Sequence, residues 1–189
     1  MAYTVFLDRD GVINVDSPDY IKSESEFHFI TQSPEAIACL TKAGCDVFVI
    51  TNQSAIARKL TTGKELNNIF SKMKAGIIDV GGKIKDVFYC PHMPDAGCDC
   101  RKPKPGLIFQ AQKKYNLDLQ QSCMVGDSAK DIEGAKNAGC GLSVLVKTGN
   151  GEKSTIALQE KGINPDFLAE NLFEAAQWII SKITPDDTK

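Results

Sequence analysis

The segment YTVFLDRDG, residues 3–11, joins a short apolar run to two acidic residues and a glycine. The run Tyr3–Leu7 is almost continuously apolar, which is typical of a strand covered on both faces of a sheet. Asp8 and Asp10 follow at the point where such a strand should end. The segment therefore predicts a buried parallel strand with carboxylates at its carboxyl end.

Four similar apolar runs follow along the chain, and helix-like segments separate them. The predicted strands are Asp46–Ile50, Val87–Tyr89, Cys123–Val125 and Leu142–Val146. The predicted helices run from Ser33 to about Ala43, from Thr62 to about Asp79, and over Gly106–Tyr115, Ala129–Ala138 and Asn171–Ser181. Ser33 is the predicted N-cap of the first helix because Pro34 and Glu35 follow it. This alternation predicts an α/β fold, a Rossmann-like parallel sheet with helices on both faces.

Length and composition fit one globular domain, residues 1–189, because 42% of the residues are hydrophobic and 24% are charged. The net charge of −2 and the absence of a Lys/Arg cluster disfavour a nucleic-acid partner. Apolar stretches such as Val47–Ile50 are far below the ~20 residues that a bilayer span needs, and no signal-peptide pattern follows Met1. We expect a cytoplasmic monomer whose polar end, residues 185–189, is frayed.

The chain has seven cysteines and two histidines, and an odd number of cysteines disfavours a disulfide framework. Cys90, His92, Cys98 and Cys100 form a complete Cys₃His set for a structural, tetrahedral zinc ion. The alternative is that these cysteines are buried as small apolar side chains. The loop 90–100 disfavours it, because proline, glycine and aspartate leave little apolar content. The other four cysteines are scattered along the chain, and we predict that they are buried as small apolar side chains: Cys39, Cys45, Cys123 and Cys140.

Polar residues follow the strands at the edge where ligands bind in parallel sheets. The run TNQS, residues 51–54, follows the second strand, and RKPKPG, residues 101–106, follows the cysteine-rich loop. Asp127 follows the fourth strand, with Asp131 four residues later. Singly, such residues are common as helix caps and turn formers. Together they bring acids, a hydroxyl and a cation to one edge of the sheet.

This combination of groups can perform phosphoryl transfer. Carboxylates can hold Mg²⁺, and one of them can attack phosphorus to form an aspartyl-phosphate. A second carboxylate can protonate the leaving alcohol and later deprotonate water. A lysine and a hydroxyl can stabilise the equatorial phosphoryl oxygens. Neither a P-loop nor a G-x-G-x-x-G pattern occurs, so P-loop ATP hydrolysis and dinucleotide binding are unsupported.

The DxDG motif at residues 8–11, Thr51-Asn52, Lys102 and Gly126-Asp127 resemble, in order and type, the four motifs of the haloacid dehalogenase-like (HAD-like) phosphatases. The resemblance covers roughly residues 3–148. It implies that Asp8 is the nucleophile and Asp10 the general acid/base. It also implies that Asp8, the backbone carbonyl of Asp10, and Asp127 bind magnesium, and that Thr51 and Lys102 hold the transferring phosphoryl group.

The resemblance further assigns a set of substrate-binding residues: Asp16, Asp19, Tyr20, Asn52, Gln53, Ser54 and Arg101. Two roles for Asp131 remain open, a magnesium ligand or a residue that caps or orients the site. Lys104 is expected to be a solvated surface residue. No segment is long enough for a large cap domain, so the zinc loop is expected to serve as a minimal cap.

Within the family, a Cys-x-His…Cys-x-Cys loop followed by Arg-Lys-Pro is similar to two groups, the heptose-bisphosphate phosphatases and the histidinol-phosphate phosphatases. The run DRDGVIN, residues 8–14, and TNQS followed by IAR, residues 56–58, favour the first group. The resemblance implies cleavage of the 7-phosphate of a heptose 1,7-bisphosphate, with histidinol phosphate as the alternative substrate. An alternative from another class is a non-catalytic, zinc-stabilised binding protein, which the three acids disfavour.

Overall fold

The structure, a computed structural model, describes residues 2–184 and contains a six-stranded parallel sheet between two layers of helices. The strands are β1 (Thr4–Leu7), β2 (Asp46–Asn52), β3 (Asp86–Cys90), β4 (Ser122–Gly126), β5 (Leu142–Val146) and β6 (Phe167–Ala169). The helices are α1 (Ser33–Lys42), α2 (Gly63–Asp79), α3 (Gly106–Tyr115), α4 (Ala129–Ala138), α5 (Gly151–Glu160) and α6 (Leu172–Ile183). The end predicted to be frayed, 185–189, lies outside the described residues. Within residues 2–184, no helix is long and apolar enough to cross a bilayer.

The strand order β3-β2-β1-β4-β5-β6 determines where the site forms. The chain moves outward from β1 to β3, then returns to the other side of β1 and continues outward from β4. Leu7 is level with Val49 of β2 and Val125 of β4. Adjacent crossovers therefore leave β1 and β4 in opposite directions, and the crevice between their carboxyl ends is the usual ligand position. Asp8 and the residues after β4 face each other there.

Both faces of the sheet are buried, which explains the continuous apolar runs. Val5 and Leu7 pack with α1, α2 and α6, whereas Phe6, between them, packs on the opposite face with α3 and α4. Since neighbouring side chains of a strand point to opposite faces, each position needs an apolar residue. The predicted α/β fold with helices on both faces is confirmed.

The start of α1 differs from the prediction, because Gln32 and not Ser33 is the N-cap. Ser33 is fully buried, and its hydroxyl donates to the carbonyl oxygen of Ile13 at 2.6 Å. The side chain is thus used to attach the helix to the preceding segment. In contrast, Thr62, at which the second predicted helix begins, is the N-cap of α2 and accepts a hydrogen bond from the backbone N–H of Glu65.

Two elements, α5 and β6, were absent from the sequence prediction. Helix α5 buries only Gly151, Ser154 and Leu158, so its apolar periodicity is weak. Strand β6 has three residues and is too short to stand out from a loop. Both are defined by their packing against β5, a tertiary contact that no local pattern encodes.

The prediction for the scattered cysteines is correct for Cys45 and Cys123, which are buried. It is wrong for Cys39 and Cys140, which are half-buried. Cys39 lies beside the buried face of α1, and Cys140 lies just after the end of α4, so neither points fully into the core.

Candidate active site

A buried cluster of charges lies at the carboxyl ends of β1 and β4. Asp8, Asp127 and Asp131 each offer a carboxylate oxygen, and these oxygens lie within 4.8 Å of one another. The ammonium of Lys102 lies 2.8 Å from Oδ1 of Asp8 and 2.6 Å from Oδ1 of Asp131. It also donates to the carbonyl oxygen of Ile50 at 2.7 Å. The structure thus brings together residues that the sequence separates by more than a hundred positions.

Negative charge exceeds positive charge in this cluster. Burial raises the pKa of Asp8. The negative charges of Asp131 and Asp127 raise that pKa further, whereas the ammonium of Lys102 lowers it. Burial, together with the charge of Asp131, raises the pKa of Asp127 to about 7, although hydrogen bonds from Asn150 lower it. Burial would lower the pKa of Lys102, but the facing carboxylates hold it above its usual value. Three carboxylates around one ammonium form a donor set suited to a hard divalent cation.

Asp131 has an orienting role in the structure. The backbone N–H of Ser128 donates to its Oδ2 at 3.0 Å, which caps the first turn of α4, while its Oδ1 contacts Lys102. A Cβ on Gly126 would lie 2.1 Å from the Cβ of Asp131, so the close approach requires glycine there. Of the two roles left open for Asp131, capping and orienting is the one that these contacts display.

The carboxylate of Asp10 is held by donors on several sides. Arg9 lies 2.7 Å (Nη2) and 3.0 Å (Nε) from Oδ1, and Asn14 Nδ2 lies 3.0 Å from the same oxygen. Gln53 Nε2 donates to Oδ2 at 2.9 Å and to Oγ1 of Thr51 at 2.9 Å. Burial would raise the pKa of Asp10, but these donors, Arg9 first, hold it below its usual value. Sequence reasoning missed Arg9, which is 1% exposed although it lies between the two motif acids.

An open cavity of about 360 Å³ lies above the cluster. The predicted site residues that line it are Asp8, Asp10, Asp16, Tyr20, Thr51, Asn52, Gln53, Ser54, Arg101, Lys102 and Asp127. Asp19, which is within the described part of the chain, is exposed and does not line the cavity. A turn closed by the N–H of Tyr20 and the carbonyl of Ser17 (3.0 Å) carries it away. The structure therefore does not bring Asp19 together with the other predicted site residues.

Asn52 and Gln53 line the cavity, but their amides are engaged with protein groups. Asn52 accepts from the backbone N–H of Lys102 at 3.1 Å and donates to its carbonyl at 3.2 Å. Gln53 bonds to Asp10 and Thr51, as above. Both residues therefore hold predicted catalytic residues in place, a positioning role in addition to the substrate contact predicted for them.

Three cations line the cavity without a carboxylate partner among the described residues: Arg58, Arg101 and Lys130. The guanidinium of Arg101 donates to the carbonyl of His92 at 3.2 Å, and that of Arg58 lies 5.8 Å above the ring of Tyr20. Sequence reasoning gave Arg58 and Lys130 no role. A positively charged rim above a negatively charged floor suits an anionic ligand that meets a bound cation.

Asn150 also lines the cavity and was missed. It lies at the end of the loop 147–150, which follows β5. Its position after a strand of the parallel sheet is the sequence signal that could have identified it, because ligands bind beyond the carboxyl ends of such strands.

The loop after β3 brings its four predicted ligands together. The sulfur atoms of Cys90, Cys98 and Cys100 lie 3.2–3.6 Å apart, and Nδ1 of His92 lies 3.3 Å from Cys100 and 3.6 Å from Cys90. A tetrahedron with ~2.3 Å zinc–sulfur bonds has sulfur–sulfur edges of about 3.8 Å. The donor set therefore fits a zinc ion. Lys104 lies beside this loop and is exposed, paired with Asp99 at 3.1 Å.

Comparison with known proteins agrees with this fold and site. A HAD-hydrolase-like family model matches residues 99–175, and two bacterial relatives extend the match to most of the chain. The chain belongs to the HAD-like hydrolases, the phosphatase family that the four motifs resemble. Its enzyme class is that of the phosphoric monoester hydrolases.

Within that family the chain is similar to D-glycero-β-D-manno-heptose-1,7-bisphosphate 7-phosphatases. It is 47% identical to the Pseudomonas aeruginosa enzyme over 150 residues, which span 79% of this chain and 84% of that protein. It is 41% identical to the Neisseria meningitidis serogroup B enzyme over 180 residues, 95% of this chain and 96% of that protein. The crystal structure of the B. bronchiseptica D,D-heptose 1,7-bisphosphate phosphatase, complexed with magnesium and phosphate, matches with a TM-score of 0.89 and 40% identity, covering 96% of this chain and 99% of that one.

The raised pKa of Asp127 predicts how the stability of the magnesium-free protein depends on pH. Because its folded-state pKa, about 7, lies above the unfolded value of about 4, the folded state disfavours the ionised form. The contribution of Asp127 to the free energy of unfolding is therefore fully present below about pH 4 and is lost as the pH rises through 7. Asp127→Asn should therefore gain melting temperature relative to the wild type as the pH rises from 5 to 8. The control Asp79→Asn lies at the exposed end of α2, and its melting temperature should differ from that of the wild type by the same amount at each pH. If the difference between Asp127→Asn and the wild type is also independent of pH, the prediction is wrong.

Proposed function

We propose that this chain is a magnesium-dependent phosphatase that removes the 7-phosphate of D-glycero-D-manno-heptose 1,7-bisphosphate through a phospho-Asp8 intermediate. The observation that carries the proposal is the Asp8–Lys102–Asp127 cluster beneath a cavity that Arg58, Arg101 and Lys130 also line. The names of the relatives support the same substrate. We further propose that one domain, residues 1–189, acts as a monomer, since its own sheet edge supplies each proposed catalytic group.

Magnesium fits the donor set at the sheet edge. The carboxylates of Asp8 and Asp127 and the backbone carbonyl of Asp10 would hold it, in keeping with the preference of Mg²⁺ for oxygen ligands. When bound, the ion offsets the negative charge of the carboxylates and of the phosphoryl oxygens. Lys102 remains the positive group that the chain itself supplies.

In the first step, an oxygen of Asp8 attacks phosphorus, and the bond from phosphorus to the sugar oxygen breaks. Asp10 gives a proton to that leaving oxygen, while Thr51 and Lys102 hold the equatorial oxygens. In the second step, water attacks the phosphorus, Asp10 takes its proton, and the Asp8 carboxylate is released with inorganic phosphate. The donors around Asp10, Arg9 and Gln53 among them, favour its ionised form, which the second step needs.

The charges around the cavity support a bisphosphate over histidinol phosphate. A bisphosphate places a second anion near the rim, where Arg58, Arg101 and Lys130 have no carboxylate partner among residues 2–184. Histidinol phosphate carries an ammonium group, which these cations repel. Complementary charges in a concave site favour one ligand and raise the cost of the other.

Asp8→Asn should abolish steady-state turnover, by roughly 10³-fold or more, because the amide cannot attack phosphorus. Phosphate release and circular dichroism would be measured on the variant, with the exposed Asp79→Asn as the matched control. We expect an intact fold in both and full activity in the control. Wild-type turnover by Asp8→Asn, with mass spectrometry showing that the amide has not deamidated, would rule out the mechanism. A wild type that binds phosphate esters without hydrolysing them would support a binding protein instead.

The substrate assignment predicts a kcat/KM for heptose 1,7-bisphosphate at least about tenfold above that for histidinol phosphate, measured by phosphate release with Mg²⁺ present. The preference should shrink as salt rises from about 0.05 to 0.5 M, since ions screen the rim charges. Histidinol phosphate as the better substrate would overturn the assignment while leaving the phosphatase chemistry intact.

We propose that the loop 90–100 binds one structural zinc ion, and that it acts as a minimal cap. Protein purified without chelators should contain about one zinc per chain by elemental analysis. Cys98→Ser should lose zinc and melt at a lower temperature, because the ligand set is broken. Cys39→Ser, a half-buried cysteine outside the loop, is the control and should keep its zinc. Absence of zinc from the wild type would refute the proposed site.

A further inference from the structure

The loop after β5, residues 147–150, contacts both the proposed magnesium ligand Asp127 and the proposed substrate-binding segment that begins at Asp16, residues 16–20, which we name the substrate loop. The backbone N–H of Asn150 donates to Oδ2 of Asp127 at 2.8 Å, and its side-chain Nδ2 lies 3.3 Å from the same oxygen. That nitrogen also lies 3.2 Å from Oδ2 of Asp16. One side chain therefore joins two carboxylates that are otherwise in different parts of the site.

The same loop is anchored so that Asn150 has little freedom to move away. The hydroxyl of Thr148 donates to the carbonyl oxygen of Gly11 at 2.6 Å. Gly11 and Gly149 have φ values of +79° and +60°, and a Cβ on either would lie 2.1–2.2 Å from Oδ2 of Asp127. The two glycine backbones thus enclose the Asp127 carboxylate, and side chains there would displace it.

Asn150 is the N-cap residue of α5, but its side chain makes no capping hydrogen bond. An asparagine at this position usually accepts a hydrogen bond from the helix with its side-chain oxygen. Here the amide nitrogen instead points to Asp16 and Asp127. A purely structural role in starting the helix therefore does not explain the residue.

The two hydrogen bonds from Asn150 to Asp127 both end on Oδ2 of that carboxylate. Within residues 2–184, no hydrogen bond reaches Oδ1 of that carboxylate. One oxygen is thus held by the loop, and the other is left for a cation. Groups that hold a metal ligand in this way tune metal affinity, and their loss typically costs 10–100-fold.

We propose that Asn150 is a positioning residue that couples the substrate loop, through Asp16, to the magnesium ligand Asp127. The inference rests on the proposed function, because it takes Asp127 as a magnesium ligand. Coupling between two sites is reciprocal. Order in the Asp16 loop therefore strengthens Mg²⁺ binding, and Mg²⁺ binding orders the loop.

Calorimetric titration with Mg²⁺ alone, on full-length protein without substrate, tests the coupling. We expect a dissociation constant about tenfold weaker for Asn150→Ala and about fivefold weaker for Asp16→Ala, which lies outside the carboxylate cluster. The double variant should be no weaker than Asn150→Ala, since both changes break one connection. The matched control is Asn171→Ala, because Asn171 does cap its helix, α6. It should melt at a lower temperature with an unchanged Mg²⁺ affinity.

Activity supplies an independent outcome. With p-nitrophenyl phosphate, excess Mg²⁺ should restore the kcat of Asn150→Ala towards the wild-type value, which a misfolded variant would not show. An unchanged Mg²⁺ affinity in Asn150→Ala, or effects of the two single changes that simply multiply, overturns the coupling while the phosphatase stands. A wild type that neither binds Mg²⁺ nor hydrolyses phosphate esters overturns the proposed function, and this inference with it.

Discussion

The buried ammonium of Lys102 is the interaction on which the rest of the site depends. Burying charges is costly unless they are paired and hydrogen-bonded, and Lys102 meets Asp8, Asp131 and the carbonyl of Ile50 at 2.6–2.8 Å. These partners come from the ends of β1 and β2 and the first turn of α4. Its position therefore fixes three loops relative to one another, and removing it would leave two buried carboxylates facing each other.

Lys102 itself lies on a segment without regular structure, between β3 and α3. Two features hold that segment: the Cys₃His loop that precedes it and the amide of Asn52, which bonds to both backbone groups of Lys102. The zinc ion that we propose would therefore act on catalysis only by positioning this segment. A loop clamped by four ligands can place Arg101 and Lys102 with little surrounding secondary structure.

Several side chains of this site hydrogen-bond to the acidic residues and hold them in position. Arg9 and Gln53 bind Asp10, and Asn150 binds Asp127. The position of polar residues after the predicted strands indicated where they would gather, because the carboxyl ends of parallel strands meet at one edge of the sheet. That pattern could not predict that the amide of Gln53 donates to Asp10, or that Asp19 does not line the cavity. It gives the position of a loop but not the directions of the side chains in it.

The sequence by itself determined the layers of the fold, the edge where the polar residues gather and the four Cys and His side chains that cluster in the loop 90–100. Each of these depends on a local pattern: continuous apolar runs, acids directly after Leu7 and Gly126, and cysteines within one short loop. Only the tertiary structure decided which charges pair, and that α5 and β6 exist. Asn150 and Asp16 are 134 positions apart, and their contact arises because the crossovers of β1 and β5 return to the same edge. Packing geometry, which no local period encodes, selects such partners.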